Sequence, residues 1–134
     1  MKPAKTFFTA FFAITLLFCA TALSAQRDAL KQTTPLVRAK LQTAFMKKRL
    51  NLTAQQVPQV MQINLKYAEQ MEPVIKGNEG KLMKMRQTMA IAKAKDNELT
   101  RVLTPAQYEA YLASKEQMQQ KMIEKVMQKR GQGG

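Results

Sequence analysis

The chain has 134 residues, enough for one domain, with 22 Lys and Arg against 9 Asp and Glu and no His. A net charge of +13 raises nucleic acid, acidic proteins and anionic lipid as partners. With one Cys and no His, thiol chemistry and imidazole-based catalysis or metal binding lose their usual ligands. With 7% aromatic residues and no Trp, only a thin core can form, so burial against a partner chain is expected.

Residues 1–25 read as a secretory signal peptide. Lys2 and Lys5 precede an apolar run that includes Phe7, Phe8, Phe11, Phe12, Leu16, Leu17 and Phe18, and Ala22-Leu23-Ser24-Ala25 offers small residues to a signal peptidase. Cleavage falls after Ser24 or Ala25. A single-span anchor is the rival, but the run is short against the roughly 20 apolar residues a bilayer requires. A lipid anchor at Cys19 would need a lipobox, which Phe18 fits poorly. Export to the periplasm without a lasting membrane anchor is therefore expected, and it disfavours nucleic acid as the partner. Cleavage after Ala25 leaves 109 residues, with 20 cations against 9 acids, a net +11, no Cys and nine Met.

Residues 26–34 are polar and read as a flexible leader. Thr34-Pro35 is a cap followed by a first helical residue, and it predicts a helix over about 35–50. Its apolar positions are Val37, Leu41, Ala44 and Phe45, and Lys47-Lys48-Arg49 closes it with charge that suits the negative end of the helix dipole. A second helix is predicted from Thr53 towards Glu72, with Val57, Val60, Met61, Leu65, Ala68, Met71 and Ile75 on one stripe. Pro58 should bend its start, Pro73 kinks or ends it, and a turn follows over about 76–80. The third helix is predicted over 81–102, with Leu82, Met85, Met89, Ala92, Leu99 and Leu103 as its apolar stripe. The fourth covers about 105–129, carrying Tyr108, Tyr111, Leu112, Met118, Met122, Val126 and Met127. Residues 131–134 read as a flexible tail. No segment alternates with period two, so residues 35–130 read as an all-α domain: a small, elongated bundle of about four helices.

One motif occurs twice. Leu52-Thr53-Ala54-Gln55-Gln56 and Leu103-Thr104-Pro105-Ala106-Gln107 both have the form L-T-x-x-Q at a predicted helix start. Thr at the cap accepts from the N–H three residues on, and Gln at that position reaches back to the cap's own N–H. The Leu before each cap can pack on the residue four into the helix, Val57 or Tyr108. Leu52, Thr53, Gln56, Leu103, Thr104 and Gln107 are thus structural caps.

No other constellation reads as catalytic. Glu69 and Glu72, one turn apart, read as a solvated helix face, and no phosphate loop is present, so no enzyme, cofactor or metal is expected. Met83, Met85 and Met89, with Met118 and Met122, could offer thioethers to Cu(I), or serve as core or as an adaptable binding surface. The candidate client-binding residues are the cations and methionines Lys47, Lys48, Arg49, Lys81, Met83, Lys84, Met85, Arg86 and Lys93. Such cations most often form solvated faces, but they also capture acidic chains at long range.

The paired motifs, within 46–56 (MKKRLNLTAQQ) and 99–108 (LTRVLTPAQY), resemble the L-T-x-x-Q family of periplasmic proteins, the Spy/CpxP-like proteins. The resemblance implies a thin antiparallel homodimer of four-helix protomers with a concave, cradle-like surface. It implies an ATP-independent chaperone or holdase for unfolded or acidic clients. The alternatives are a CpxP-like regulator docking on the periplasmic domain of an envelope-stress sensor kinase, and a Met-based metal-binding protein.

Overall fold

The computed structural model describes residues 31–132; the expected signal peptide, most of the leader and the last two glycines lie outside the described residues. Four helices follow in order: α1 (Pro35–Arg49), α2 (Gln56–Lys76), α3 (Lys81–Leu99) and α4 (Pro105–Gln132). No strand occurs among the described residues. The protein is all-α.

Local chemistry sets each boundary. Thr34 caps α1 through its hydroxyl, which accepts from Val37 N at 3.3 Å. At the other end Leu50 N donates to Met46 O and Leu52 N to Lys47 O, while Asn51 takes a left-handed φ of 52°. This is a Schellman stop, with Asn where Gly is commonest. Regular α2 begins at Gln56, after a turn through Ala54 and Gln55, and runs through Pro73 to Lys76 rather than stopping near Glu72. Pro73 has no N–H to donate to Glu69 O, so one bond of the helical ladder is lost, yet the helix continues to Lys76. Gly77 N then bonds Pro73 O at 2.8 Å, and a Cβ on Gly77 would lie 2.7 Å from that oxygen. α3 ends at Leu99, before the expected Val102, because Leu99 O takes both Val102 N and Leu103 N in a tight turn. α4 continues through Gly131 and Gln132, where a flexible tail is expected from the sequence.

The main packing pairs are α2 on α1, α3 on α2 and α4 on α1. The most extensive contacts run in the order α3–α2–α1–α4, and the hub end of α3 also reaches α1 through Lys95 and Gln42 and α4 through Asp96 and Tyr111. This order explains where burial departs from the expected stripes. α2 has neighbours on two sides and buries Val60, Ile63, Asn64, Tyr67, Ala68 and Val74, a face turned round the helix from the predicted stripe, with only Val60 and Ala68 in common. α1 turns Ala39, Thr43 and Met46 inward, while Leu41 and Phe45 stay half-buried and Ala44 exposed. On α3 only Leu99 is buried, and Leu82, Met85 and Met89 are exposed instead of forming an inner stripe.

The core gathers where the motifs meet: Met46, Leu50, Leu52, Val60, Ile63, Tyr67, Leu99, Leu103, Tyr111 and Met118. Burying each aliphatic or Met side chain contributes roughly 1.5–3 kcal/mol. Towards the other end, the buried Arg38 donates to Thr33 O at 2.6 Å, to Ala68 O at 3.3 Å and to the Glu72 carboxylate. Glu72 also takes Lys76 at 2.6 Å, so it is a structural ion-pair member and only Glu69 is a solvated acid. The core cluster and the bonds that join the helices lie within residues 33–126, so a chain of residues 26–134 retains all of them.

Candidate functional site

Both L-T-x-x-Q segments form complete capping boxes. Gln56 N donates to Thr53 Oγ1 at 3.2 Å, and Thr53 N donates to Gln56 Oε1 at 3.0 Å. The second copy repeats the same two distances between Thr104 and Gln107. The boxes then lock to each other. Gln56 Nε2 donates to Gln107 Oε1 at 2.8 Å, and Gln107 Nε2 donates back to Gln56 Oε1 at 3.0 Å. The remaining amide protons go to backbone carbonyls across the interface, Gln56 to Val102 O and Gln107 to Leu50 O. The two acceptors lie two and three residues before their caps, so the approximate two-fold relation is offset by one residue. Leu52 and Leu103 are buried beneath the pair. The six motif residues therefore sit together at one place, and their bonds are with each other and with the backbone.

Around this hub lies a set of ion pairs. Asp96 accepts from Tyr111 Oη at 2.8 Å and pairs with Lys115 at 2.7 Å, tying α3 to α4. Burial, and then the Asp96 bond, push the Tyr111 phenol well above its ordinary range. Lys66 pairs with Glu98 at 2.9 Å and holds that carboxyl below its ordinary value, chiefly through the hydrogen bond. Lys95 donates to Gln42 Oε1 at 2.8 Å across to α1. Lys95 is half-buried, and desolvation lowers its pKa from 10.5 to about 8 despite the nearby Asp96.

The candidate client-binding residues fall into two groups. Lys47, Lys48 and Arg49 are exposed at the hub end of α1. Lys81, Met83, Met85, Arg86 and Lys93 are exposed on α3, with Lys84 half-buried. Since α3 has 19 residues, its start lies roughly 28 Å from its hub end. The two groups do not form one site. On α3, Leu82, Met83, Met85 and Met89 are 58%, 51%, 53% and 64% exposed, which leaves an apolar surface interspersed with cations.

A groove of about 470 Å³ lies between α1 and α4. Leu41, Ala44, Phe45, Met118 and Met122 give it an apolar floor; Lys48, Arg49, Lys121 and Lys125 line it as well. Lys121 and Lys125 are not among the sequence-derived candidates. Their signal is the spacing Met118, Lys121, Met122, Lys125, which sets Met and Lys on one helical stripe. Among the described residues no three carboxylates gather where they could hold a metal. Met118 and Met122 are buried, whereas Met85 and Met89 stand one turn apart and open.

Fold and hub together define the class: an all-α chain of four helices, locked by two reciprocal capping boxes, with apolar and cationic surface left open on its outer helices. The chain belongs to the DUF4890 family, described as a domain of unknown function, whose profile matches residues 22–111. The match takes in α1, α2, α3, both motifs and the start of α4. No curated protein and no solved structure matches the chain.

Proposed function

We propose that this protein is an exported, ATP-independent holdase of the Spy/CpxP-like, L-T-x-x-Q type that captures unfolded or acidic proteins in the periplasm. The observation that carries the reading is the α3 surface. Four large apolar side chains stay open within its first nine residues, beside Lys81, Lys84 and Arg86. Contiguous exposed apolar surface rimmed by charge marks an interaction site. Methionine suits a surface that meets many shapes, because an unbranched thioether repacks easily and binds softly. The cations supply long-range attraction to acidic chains, which salt screens. The apolar side chains left exposed on α3 also offer surface to a second copy, so a homodimer belongs to this reading.

The test is aggregation of a denatured model client with residues 26–134 at two salt concentrations, without nucleotide. Protection near stoichiometric ratios that weakens at high salt is the expected result. No protection at any ratio would sink the holdase reading and direct attention to one dedicated partner, such as the periplasmic domain of a sensor kinase.

A further inference from the structure

We propose that the groove between α1 and α4 is a binding site for a free single-chain fatty acid, a ligand distinct in kind from the protein clients of the α3 surface. Three observations converge. The floor is aliphatic, thioether and aromatic: Phe45 and Met122 stand for all five of its members, and Met side chains adapt to a flexible chain. The only charged groups lining the groove are four cations, Lys48 and Arg49 from α1 and Lys121 and Lys125 from α4. Four cations complement an anion, and the floor complements an apolar body. The volume, about 470 Å³, lies in the range of small-molecule sites.

The sequence supplies an independent reason to expect an occupant. Leu41, Ala44 and Phe45 are the apolar face of α1 by helical spacing, yet α4 does not cover them fully. α4 contributes Lys121 and Lys125 to the lining, and long lysine stems are suited to cover an apolar cleft while the ammonium group stays in water. A cleft between two helices suits one slender acyl chain rather than the flat face of a bilayer. A carboxylate at the rim would be met by ammonium or guanidinium from either wall, in charge-assisted hydrogen bonds.

The experiment is calorimetric titration of residues 26–134 with sodium dodecanoate below its micelle-forming concentration. Saturable binding of one molecule per chain is expected. Lys121→Gln with Lys125→Gln should weaken it at least about tenfold, the loss of one charge-assisted contact or more. Ala44→Phe, which fills the groove from an exposed position, should abolish it. Circular dichroism and melting must be unchanged in both variants, and Met85→Ser with Met89→Ser on α3 should bind dodecanoate as well as the parent. Absence of saturable binding, equal binding by the groove variants, or loss in the α3 variant would each overturn the proposal. So would occupancy of the groove by an acidic helical peptide or phosphatidylglycerol vesicles that dodecanoate fails to displace. None of these outcomes depends on whether the chain protects clients from aggregation.

Discussion

Gln56 and Gln107 each use both halves of the side-chain amide twice. Each oxygen accepts from its own cap N–H and from the other Gln, and each nitrogen donates to the other Gln and to a carbonyl. An amide in this position has no spare donor or acceptor, which is why Glu, an acceptor only, cannot replace it. Thr53→Ala or Thr104→Ala removes one side-chain acceptor and should cost about 0.5–2 kcal/mol in chemical denaturation. Gln107→Ala strands several partners at once and should cost more, about 2–4 kcal/mol. A double-mutant cycle between Gln56 and Gln107 should give a coupling of roughly 0.5–3 kcal/mol, and a coupling of zero would show that the cross-pair does not join the boxes. If a Thr→Ala variant stayed folded but lost client binding, the motif would be a contact surface rather than a cap.

Two titrating side chains each make stability rise with pH, one in the acid range and one in the alkaline range. For Glu72, burial would raise the carboxyl, but Lys76 and Arg38 outweigh it and hold the pKa below its ordinary 4.5. The folded state then releases that proton more readily than the unfolded one. The stability so gained is present above about pH 4.5 and lost as pH falls through the lowered value. Glu72→Gln should flatten that acid limb in urea melts. For Lys95, the folded pKa of about 8 lies below 10.5, so the unfolded chain binds the extra proton between these values. Stability from this site is therefore lowest below pH 8 and rises towards pH 10.5. Lys95→Met should stabilise the protein at pH 7 by on the order of 2 kcal/mol, and its advantage should narrow by pH 9.5.

At the scale of the element, α3 separates fold from function most clearly. Its first nine residues carry the open Leu and Met side chains, and only Leu99, in its last turn, enters the core. Met85→Ser with Met89→Ser should thus change stability by no more than about 0.5 kcal/mol per site. The same pair should sharply reduce protection of a denatured client; full protection in that variant would remove α3 from the proposed capture surface.

The helices, their caps and the turn at Gly77–Gly80 are legible in the sequence because each rests on local chemistry: Thr with Gln three residues on, Pro at a first helical position, glycines close together. What escapes it is the sideways order of the helices. Apolar spacing says that α3 has a face, but not that the face lacks a neighbour, and it places Leu41 and Phe45 inward without revealing that α4 leaves them partly open. The Arg38–Glu72 pair joins residues on different helices and has no local signature. Asn51 was legible in principle, since Asn after a basic helix end is a permitted left-handed stop, though less common than Gly. Of the candidate site, the cap residues are visible as a repeat, whereas the cross-bonding between them arises only when the chain returns to its starting point.

Across the whole molecule, charge and exposed apolar surface act together. The chain carries a net +13, and many of its cations are on exposed side chains, including Lys47, Lys48, Arg49, Lys81, Lys121 and Lys125. Client capture should therefore fall several-fold between about 50 and 300 mM salt, as screening shortens to less than about 10 Å. A capture rate indifferent to salt would leave the apolar surface as the only attraction. Dodecanoate binding in the groove should show the same trend, but more weakly, because its acyl chain enters an apolar floor.

The Gln56–Gln107 clasp has a further consequence for the lengths of the helices. α2 leads away from the clasp and α3 leads back to it, so the two must measure out matching distances before Thr104 can meet Thr53. A residue inserted in one arm alone rotates everything beyond it by about 100° and displaces it by 1.5 Å. Equal whole-turn insertions in both arms preserve the meeting point. The clasp thus behaves as a length gauge: α2 and α3 can lengthen together by whole turns, but neither can lengthen alone without moving Thr104 away from Thr53.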